Sequence, residues 1–243
     1  MKQFLTLNFL NRDMTINIKS KREALALYLL LAGLFITALV ACNLIANKFV
    51  SIDLGFKVFV ISAGVLPYPV TFLLTDLLSE IYGRKKTNMV VYVGFFASMF
   101  VLLILYLGSA FPAIENSTVQ DADYNVVFQN SWRVILASMV AYLFAQLIDV
   151  RLFHFWKRLT KGKMLWLRNN ASTIVSQLVD TTLVVLVLFV GTLSYETMGG
   201  YILDGWFFKV LCALLDTFFI YLFVGLIKKK FKLKVHEELE FLD

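Results

Sequence analysis

Six apolar blocks, each long enough to cross a lipid bilayer once, constrain this chain more than any other feature. A helix rises 1.5 Å per residue, so about 20 residues cross the ~30 Å of hydrocarbon. With 59% hydrophobic and 16% charged residues, the sequence is also far more apolar than a soluble domain. We therefore predict an all-α fold, a polytopic membrane protein built as a bundle of six transmembrane helices. The six blocks are 24–46, 58–81, 88–110, 132–156, 171–193 and 206–227.

The distribution of lysine and arginine predicts which way the helices run. If each block crosses once, all but four of the 23 basic residues fall on one side of the membrane; the exceptions are Lys48, Lys57, Arg133 and Lys209. Positive-inside bias then places both termini in the cytoplasm. We expect a cytoplasmic N-terminal segment at 1–23, loosely ordered or lying on the membrane surface, a transmembrane domain at 24–230, and a cytoplasmic tail at 231–243.

Several function classes are excluded by what the sequence lacks. It holds no HExxH, GxSxG or P-loop motif, so we expect no enzyme, no cofactor and no metal site, and His154 and His236 are isolated. Cys42 and Cys212 lie in apolar blocks without CxxC spacing, as small buried hydrophobes do. Topology and attraction to anionic lipids explain the basic residues, so we expect no nucleic-acid partner. The first block is too long for a removable signal peptide.

Two prolines interrupt the second block in the stretch "VLPYPV", residues 65–70. Each proline removes a backbone donor and disfavours helical dihedrals at the residue before it, Leu66 or Tyr68. We expect a broken or kinked helix near mid-span. In a bilayer such a break is tolerated where protein or a watered cavity satisfies the freed carbonyls. The break therefore marks either a cavity or a plain kink absorbed by packing.

Acidic residues in the apolar blocks are the strongest indication of function. Each costs about 2.5–3.5 kcal/mol at the bilayer centre on insertion scales, so such groups face a polar interior. Polar neighbours three and four residues away share a helix face with them. We expect these faces to line one polar chamber that opens toward the cytoplasm and binds a substrate. The candidate substrate-binding residues are Asp76, Asp180, Asp149, Gln146, Gln177, Asn170, Ser176, Tyr68, Phe72, Tyr142 and Asp216.

Alternative roles remain open for the acids. For Asp76 and Asp180 the alternative to binding substrate or protons is a structural hydrogen bond between helices. Glu80 precedes Arg84 by one turn, which favours an ion pair at a helix end. Arg151 and Arg168 are candidates for neutralising Asp149 rather than for contacting a ligand.

Long motifs of this chain resemble the queuosine precursor transporter family, six-span inner-membrane proteins related to vitamin uptake transporters. The resemblance covers residues 24–230 and rests on "YPVTFLLTDLLSEIYGRKKTNMVVYVGF" (68–95), "QLIDVRLFHFWKRLTKGKMLWLRNNASTIVSQLVDT" (146–181) and "LLDT" (214–217). It implies import of 7-cyano-7-deazaguanine, 7-aminomethyl-7-deazaguanine or a related base across the bacterial inner membrane, for making queuosine in tRNA. The implied partners are this small molecule and membrane lipids, and a homodimer is compatible with the sequence.

Two other functions are compatible with a polar pocket among six spans. The first is a substrate-binding membrane subunit of an ATP-driven vitamin-type uptake system, which would bind the ligand without accumulating it. The second is an intramembrane enzyme, which would need a nucleophile beside a base. For a transporter, deep carboxylates favour coupling to protons.

Overall fold

Nearly all of the described chain is helical. The computed structural model describes residues 2–46, 48–129, 132–191, 193–234 and 237–239. Its helices are α1 Lys2–Leu44, α2 Tyr68–Ser109, α3 Asp121–Tyr124, α4 Trp132–Leu159, α5 Leu165–Phe189 and α6 Tyr195–Phe231. Within the described residues, four helical stretches are long and apolar enough to cross a membrane: Ser20–Leu44, Ala63–Ser109, Leu165–Val187 and Tyr195–Phe231. At this level the prediction of an all-α polytopic membrane protein is confirmed.

The N-terminal segment differs from the expected tail. Helix α1 begins at Lys2 and runs without a break through residue 23 into the first apolar block. The predicted domain boundary at residue 23 is therefore not marked by the end of a helix.

A β-hairpin follows α1 and was not predicted. Strands β1, Phe49–Asp53, and β2, Val58–Ser62, pair antiparallel, with Asp53 opposite Val58. Gly55 adopts a φ of 81° in the turn and donates its backbone N–H to the Asp53 carboxylate at 2.8 Å. The first five residues of the second predicted span are thus a strand, because their β-branched residues complete a hairpin.

The prolines begin a helix rather than break one. Pro67 caps α2 and Pro69 lies in its first turn, where the missing N–H groups would have no helical partner anyway. The prediction of a kink near mid-span is wrong at this position. Leu66 has helical dihedrals, φ −62° and ψ −49°, and Tyr68 is the first residue of α2. We had expected both residues to avoid helical dihedrals, and neither does.

Gly83 divides α2 into a first arm, 68–82, and a second arm, 84–109. Its φ of 78° and ψ of 172° lie in a region that only glycine adopts readily. The division falls between the second and third predicted spans.

The first arm runs antiparallel to α1. Before its start, Gly64 lies against the Cys42 carbonyl near the end of α1. At its end, the Tyr82 hydroxyl donates to the Ala24 carbonyl at 2.8 Å.

The second arm runs parallel to α1. The Tyr28 hydroxyl donates to the Lys86 carbonyl at 3.0 Å, and further along Gly94 lies against the Phe35 ring. The two arms therefore run in opposite directions, and α2 is a helical hairpin that turns at Gly83.

The bundle has two chemically different ends. At the end that holds Gly83, called here the basic end, Lys157, Arg168 and Lys228 converge. The opposite end, called the hairpin end, carries β1 and β2. Helix α2 packs against α4 and α6. Its first arm also contacts α5 through the pairs Tyr68–Asp180 and Glu80–Arg168. Cys42 is buried, Cys212 is partly buried, and neither forms a disulfide.

Candidate substrate pocket

A polar pocket lies between the first arm of α2, α5 and α6. Its free volume is about 10 Å³, enough for about one water, so the side chains that line it must move apart before a base can bind. The structure brings four of the predicted site residues together here: Tyr68, Phe72, Gln177 and Asp216. The other lining residues are Pro69, Thr173, Lys209 and Ala213.

A second crevice, between α1 and the second arm of α2, has no charged lining residue. Its lining is Val40, Asn43, Leu44, Ser98, Val101, Leu102, Leu105, Val127 and Phe128. This crevice offers few polar groups that could orient a ligand, and we assign the site to the polar pocket.

Gln177 presents a free amide to the pocket. The residue is 2% exposed, and neither Oε1 nor Nε2 has a hydrogen-bond partner among the described residues. A buried polar group left unsatisfied costs about 1–3 kcal/mol, which is why such groups are rare in native proteins. A ligand that both donates and accepts hydrogen bonds would satisfy both amide atoms.

Two aromatic rings form the α2 wall of the pocket. Tyr68 and Phe72 lie one helical turn apart, with ring centroids 5.5 Å from each other and planes tilted by 54°. Stacking of a base on an aromatic ring is worth about 1–3 kcal/mol. The wall is therefore suited to a flat heterocycle.

Asp180 holds this wall together rather than standing free. Its Oδ2 accepts a hydrogen bond from the Lys209 ammonium at 2.6 Å, and its Oδ1 accepts one from the Tyr68 hydroxyl at 3.1 Å. The Lys209 and Asp180 side chains are only 10% and 4% exposed. Asp180 thus links α2, α5 and α6. Such a link between helices is the role that the sequence left open as the alternative to binding substrate or protons.

A pair of buried carboxyl groups lies one helical turn beyond the pocket. Asp76, four residues after Phe72, lies close to Asp149, and the two residues are 1% and 0% exposed. The Ser176 hydroxyl donates to Asp149 Oδ1 at 2.9 Å. Gln146, one turn before Asp149, is fully buried without a hydrogen-bond partner among the described residues. Two neighbouring carboxyl groups in a buried site can share one proton.

Asn170 and Tyr142 do not line the pocket. The Asn170 amide donates to the Trp166 carbonyl at 2.8 Å and to the Thr217 hydroxyl at 2.7 Å. The Tyr142 ring packs in the apolar core against Phe35, with centroids 6.2 Å apart. Direct substrate contact by these two residues stays a prediction that the lining of the pocket does not support.

Ion pairs occupy the basic end, where the sequence predicted an opening. Glu80 is 1% exposed and pairs with Arg168 at 2.7 Å, with Lys228 at 2.5 Å and with Lys157 at 3.7 Å. These four residues, called here the Glu80 cluster, join α2, α4, α5 and α6. Among the described residues, no member of the Glu80 cluster lines either of the two pockets, so neither pocket is seen to open at this end.

The Glu80 cluster also corrects two predicted ion pairs. Glu80 does not pair with Arg84, because Gly83 ends the helical geometry between them and leaves Arg84 exposed. Arg168 binds Glu80 instead of Asp149, and Arg151 is exposed.

Residues of the C-terminal tail lie against the turn at Gly83. The Leu239 N–H donates to the Ile81 carbonyl at 2.7 Å, and the Lys86 ammonium donates to the Leu239 carbonyl at 2.9 Å. Glu238 pairs with Lys157 at 3.2 Å, and the Leu239 side chain is 8% exposed. This contact adds a further cover to the basic end.

Sequence reasoning missed Lys209 as a site residue, because it counted this lysine of the sixth apolar block only as an exception to the positive-inside distribution. The structure places this residue in the middle of α6 and in the wall of the pocket. One signal could have found it: Lys209 is the only basic residue between Arg168 and Lys228. An isolated lysine within an apolar stretch requires a buried partner. Within the described part of the chain, no three His, Cys, Asp or Glu side chains are grouped as metal ligands.

Comparison with known proteins supports a transport role. The family model described as "Putative vitamin uptake transporter" matches residues 62–223, which include every lining residue of the pocket. No solved structure matches the chain significantly.

Three curated relatives share part of their length with this chain. A "Probable queuosine precursor transporter" of Bacillus subtilis is 33% identical over 129 residues, 53% of this chain and 56% of the relative. A protein of the same name from Haemophilus influenzae is 28% identical over 146 residues, 59% of this chain and 56% of the relative. The "Queuosine precursor transporter" of Escherichia coli is 26% identical over 142 residues, 56% of this chain and 58% of the relative. The chain thus matches little more than half the length of each.

Proposed function

Because this chain belongs to the family described as "Putative vitamin uptake transporter", we propose that it imports a queuosine precursor, a 7-deazaguanine base used for tRNA modification. Multi-pass membrane transport follows from the family and from the apolar helices. The substrate is inferred from the names of the three relatives and from the chemistry of the pocket.

The observation that carries the proposal is the free amide of Gln177, which lies with a carboxylate and two aromatic rings in one small pocket. A guanine-like ring has adjacent N–H donors that a carboxylate accepts as a pair, by the same logic that governs the reading of base edges. Asp216 lines the pocket, whereas Asp180 lies outside the lining and is paired with Lys209. We assign the donor edge of the base to Asp216, the amide contacts to Gln177, and the stacking face to Tyr68 and Phe72.

We further propose six spans with both termini in the cytoplasm of the bacterial inner membrane. The two arms of α2 count as separate spans because the chain reverses at Gly83. The first arm is short, about 22 Å at 1.5 Å per residue, and the β-hairpin and the 3₁₀ turn Ala63–Val65 precede it. The basic end then faces the cytoplasm, in agreement with positive-inside bias.

Proton coupling is the energy source that we propose. The chain has no P-loop for ATP, and the Asp76–Asp149 pair provides a buried place for one proton beside the pocket. Coupling would follow if release of that proton accompanies release of the base toward the basic end.

Uptake of labelled 7-cyano-7-deazaguanine tests the substrate. We would express the protein in a strain that cannot make or import the base and compare wild type with Gln177→Leu and Asp216→Asn. Both variants should lose at least about tenfold in uptake, as expected when a buried hydrogen-bonded contact is removed. Thr182→Val, which also removes a polar group from α5 but lies outside the pocket lining, should import normally.

Normal import by both pocket variants, at equal amounts in the membrane, would remove the site assignment. Purified wild type in liposomes separates transport from capture. Binding without accumulation or exchange would replace our proposal with a substrate-binding subunit.

A further inference from the structure

Lys209 points a cation at the pocket. Its ammonium donates to Asp180 at 2.6 Å and lies 4.7 Å from the centroid of the Tyr68 ring. An ammonium group has three N–H donors, and Asp180 takes one of them. The side chain is 10% exposed and lines the pocket, so a remaining donor is available to a bound ligand.

Helix α6 gives the pocket two ends of opposite charge. Lys209, Ala213 and Asp216 all line it, and their spacing of four and three residues puts them on one helix face. Lys209 and Asp216 are separated by two turns, about 10.5 Å along the helix axis. Between them lies the small side chain of Ala213. A ligand that fits this face has hydrogen-bond donors at one edge and an acceptor at the other.

We propose that Lys209 selects the neutral 7-cyano form of the base over the cationic 7-aminomethyl form. This inference rests on the proposed function. With the N–H edge of the base on Asp216, the opposite edge, which carries the 7-substituent, faces Lys209. A nitrile nitrogen accepts a hydrogen bond from the ammonium, whereas an aminomethyl group adds a like charge that is repelled.

Asp180 is the positioning residue for Lys209. It does not line the pocket, but it fixes the ammonium from behind and balances its charge within the bundle. Because Lys209 lines the pocket and Asp180 does not, a ligand in the pocket meets the positive side of this ion pair. Tyr68 completes the arrangement, since it donates to Asp180 and offers its ring to Lys209.

The test measures selectivity, which general destabilisation does not change. Uptake of labelled 7-cyano-7-deazaguanine is competed with the unlabelled 7-cyano base, the 7-aminomethyl base, or 7-deazaguanine without a 7-substituent. Wild type is compared with the double variant Lys209→Met/Asp180→Asn, which removes the cation without leaving a buried acid unpaired.

Wild type should be inhibited by the 7-cyano base at concentrations at least about tenfold lower than by either other base, as expected for a hydrogen bond to a charged group. In the double variant the three bases should compete within about threefold of one another. Equal competition in wild type, or selectivity that survives in the double variant, would overturn the role of Lys209.

Two further results keep the two proposals distinct. If wild type imports none of these bases, the proposed function itself is wrong. If the double variant does not insert into the membrane, the test is the increase in melting temperature that each base causes in purified wild type. The inference is overturned if the 7-aminomethyl base stabilises the protein at concentrations as low as the 7-cyano base does.

Discussion

Single residues of the site fall into two groups, those with satisfied polar atoms and those without. Asp180 has partners for both oxygens. Gln177 has none, and Asp76 Oδ1 and Asp149 Oδ2 also lack partners among the described residues. Because buried polar atoms are normally paired, the unpaired ones are where a ligand or a proton is expected to complete the structure.

Asp149→Asn tests the proton site at this scale. The asparagine amide can donate to Asp76 without a titratable proton, and Ser176 can still donate to the remaining oxygen, so the fold should be kept. In liposomes with an imposed inward proton gradient, concentrative uptake should fall by at least about tenfold. Exchange of labelled for unlabelled base, which needs no net proton movement, should persist.

Ser176→Ala is the control for Asp149→Asn, because it removes one hydrogen bond to Asp149 but leaves both carboxyl groups. It should remain sensitive to a protonophore. Concentrative uptake by Asp149→Asn that still collapses with the protonophore would assign the coupling proton to another group.

Among the structural elements, the Glu80 cluster has the largest expected effect on stability. Glu80→Gln leaves Arg168, at 1% exposure, and two lysines without their shared carboxylate. Removing one partner of a buried ion pair lowers the free energy of unfolding by about 3–5 kcal/mol. We expect a strong loss in the free energy of unfolding, measured by denaturant titration in detergent.

Glu23→Gln is a matched control for the Glu80 variant. Glu23 pairs with Lys230 at 3.2 Å, but these side chains are 40% and 63% exposed. Exposed pairs contribute about 0–1 kcal/mol, so this variant should unfold almost as wild type does. Equal effects of the two substitutions would show that the Glu80 cluster is not a stabilising link.

The turn at Gly83 offers a second test at the scale of elements. Alanine there costs about 1–3 kcal/mol in backbone strain, and its Cβ would overlap the Glu238 carboxylate. Gly191→Ala carries similar strain, since its φ is 83°, but meets no atom within 4 Å. Gly83→Ala should therefore have the lower melting temperature, and adding Glu238→Ala should bring it close to that of Gly191→Ala. Equal melting temperatures for the two single variants would exclude the tail contact.

On the scale of the whole molecule, the sequence predicted what depends on helical periodicity. The apolar blocks indicated the bundle, and acids with polar neighbours at three- and four-residue spacing indicated faces that do converge, as at Gln177 and Asp216. A helix turns such spacing into a shared direction before any tertiary contact is known.

Features that depend on partners distant in sequence were not predictable in this way. Lys209 counted only as an exception in the charge distribution, because its partner Asp180, 2.6 Å away, lies on α5. Glu80 had three basic residues close in sequence, yet its partners come from α4, α5 and α6, because Gly83 turns the near ones away. The opening toward the cytoplasm stays a prediction, since the Glu80 cluster and tail residues 237–239 lie at the basic end in this structure.

Membrane topology is the last prediction, and it depends on the whole chain. With Cys42 and Cys212 replaced by serine, single cysteines at Phe56, Arg84, Thr118 and Lys163 report four exposed connecting segments. Six spans with cytoplasmic termini require Arg84→Cys and Lys163→Cys to react with a membrane-impermeant maleimide only after the cells are opened. Phe56→Cys and Thr118→Cys should react in intact cells. If Arg84→Cys were labelled from outside, the two arms of α2 could not be separate spans in the proposed orientation, and the assignment of the basic end to the cytoplasm would fail with it.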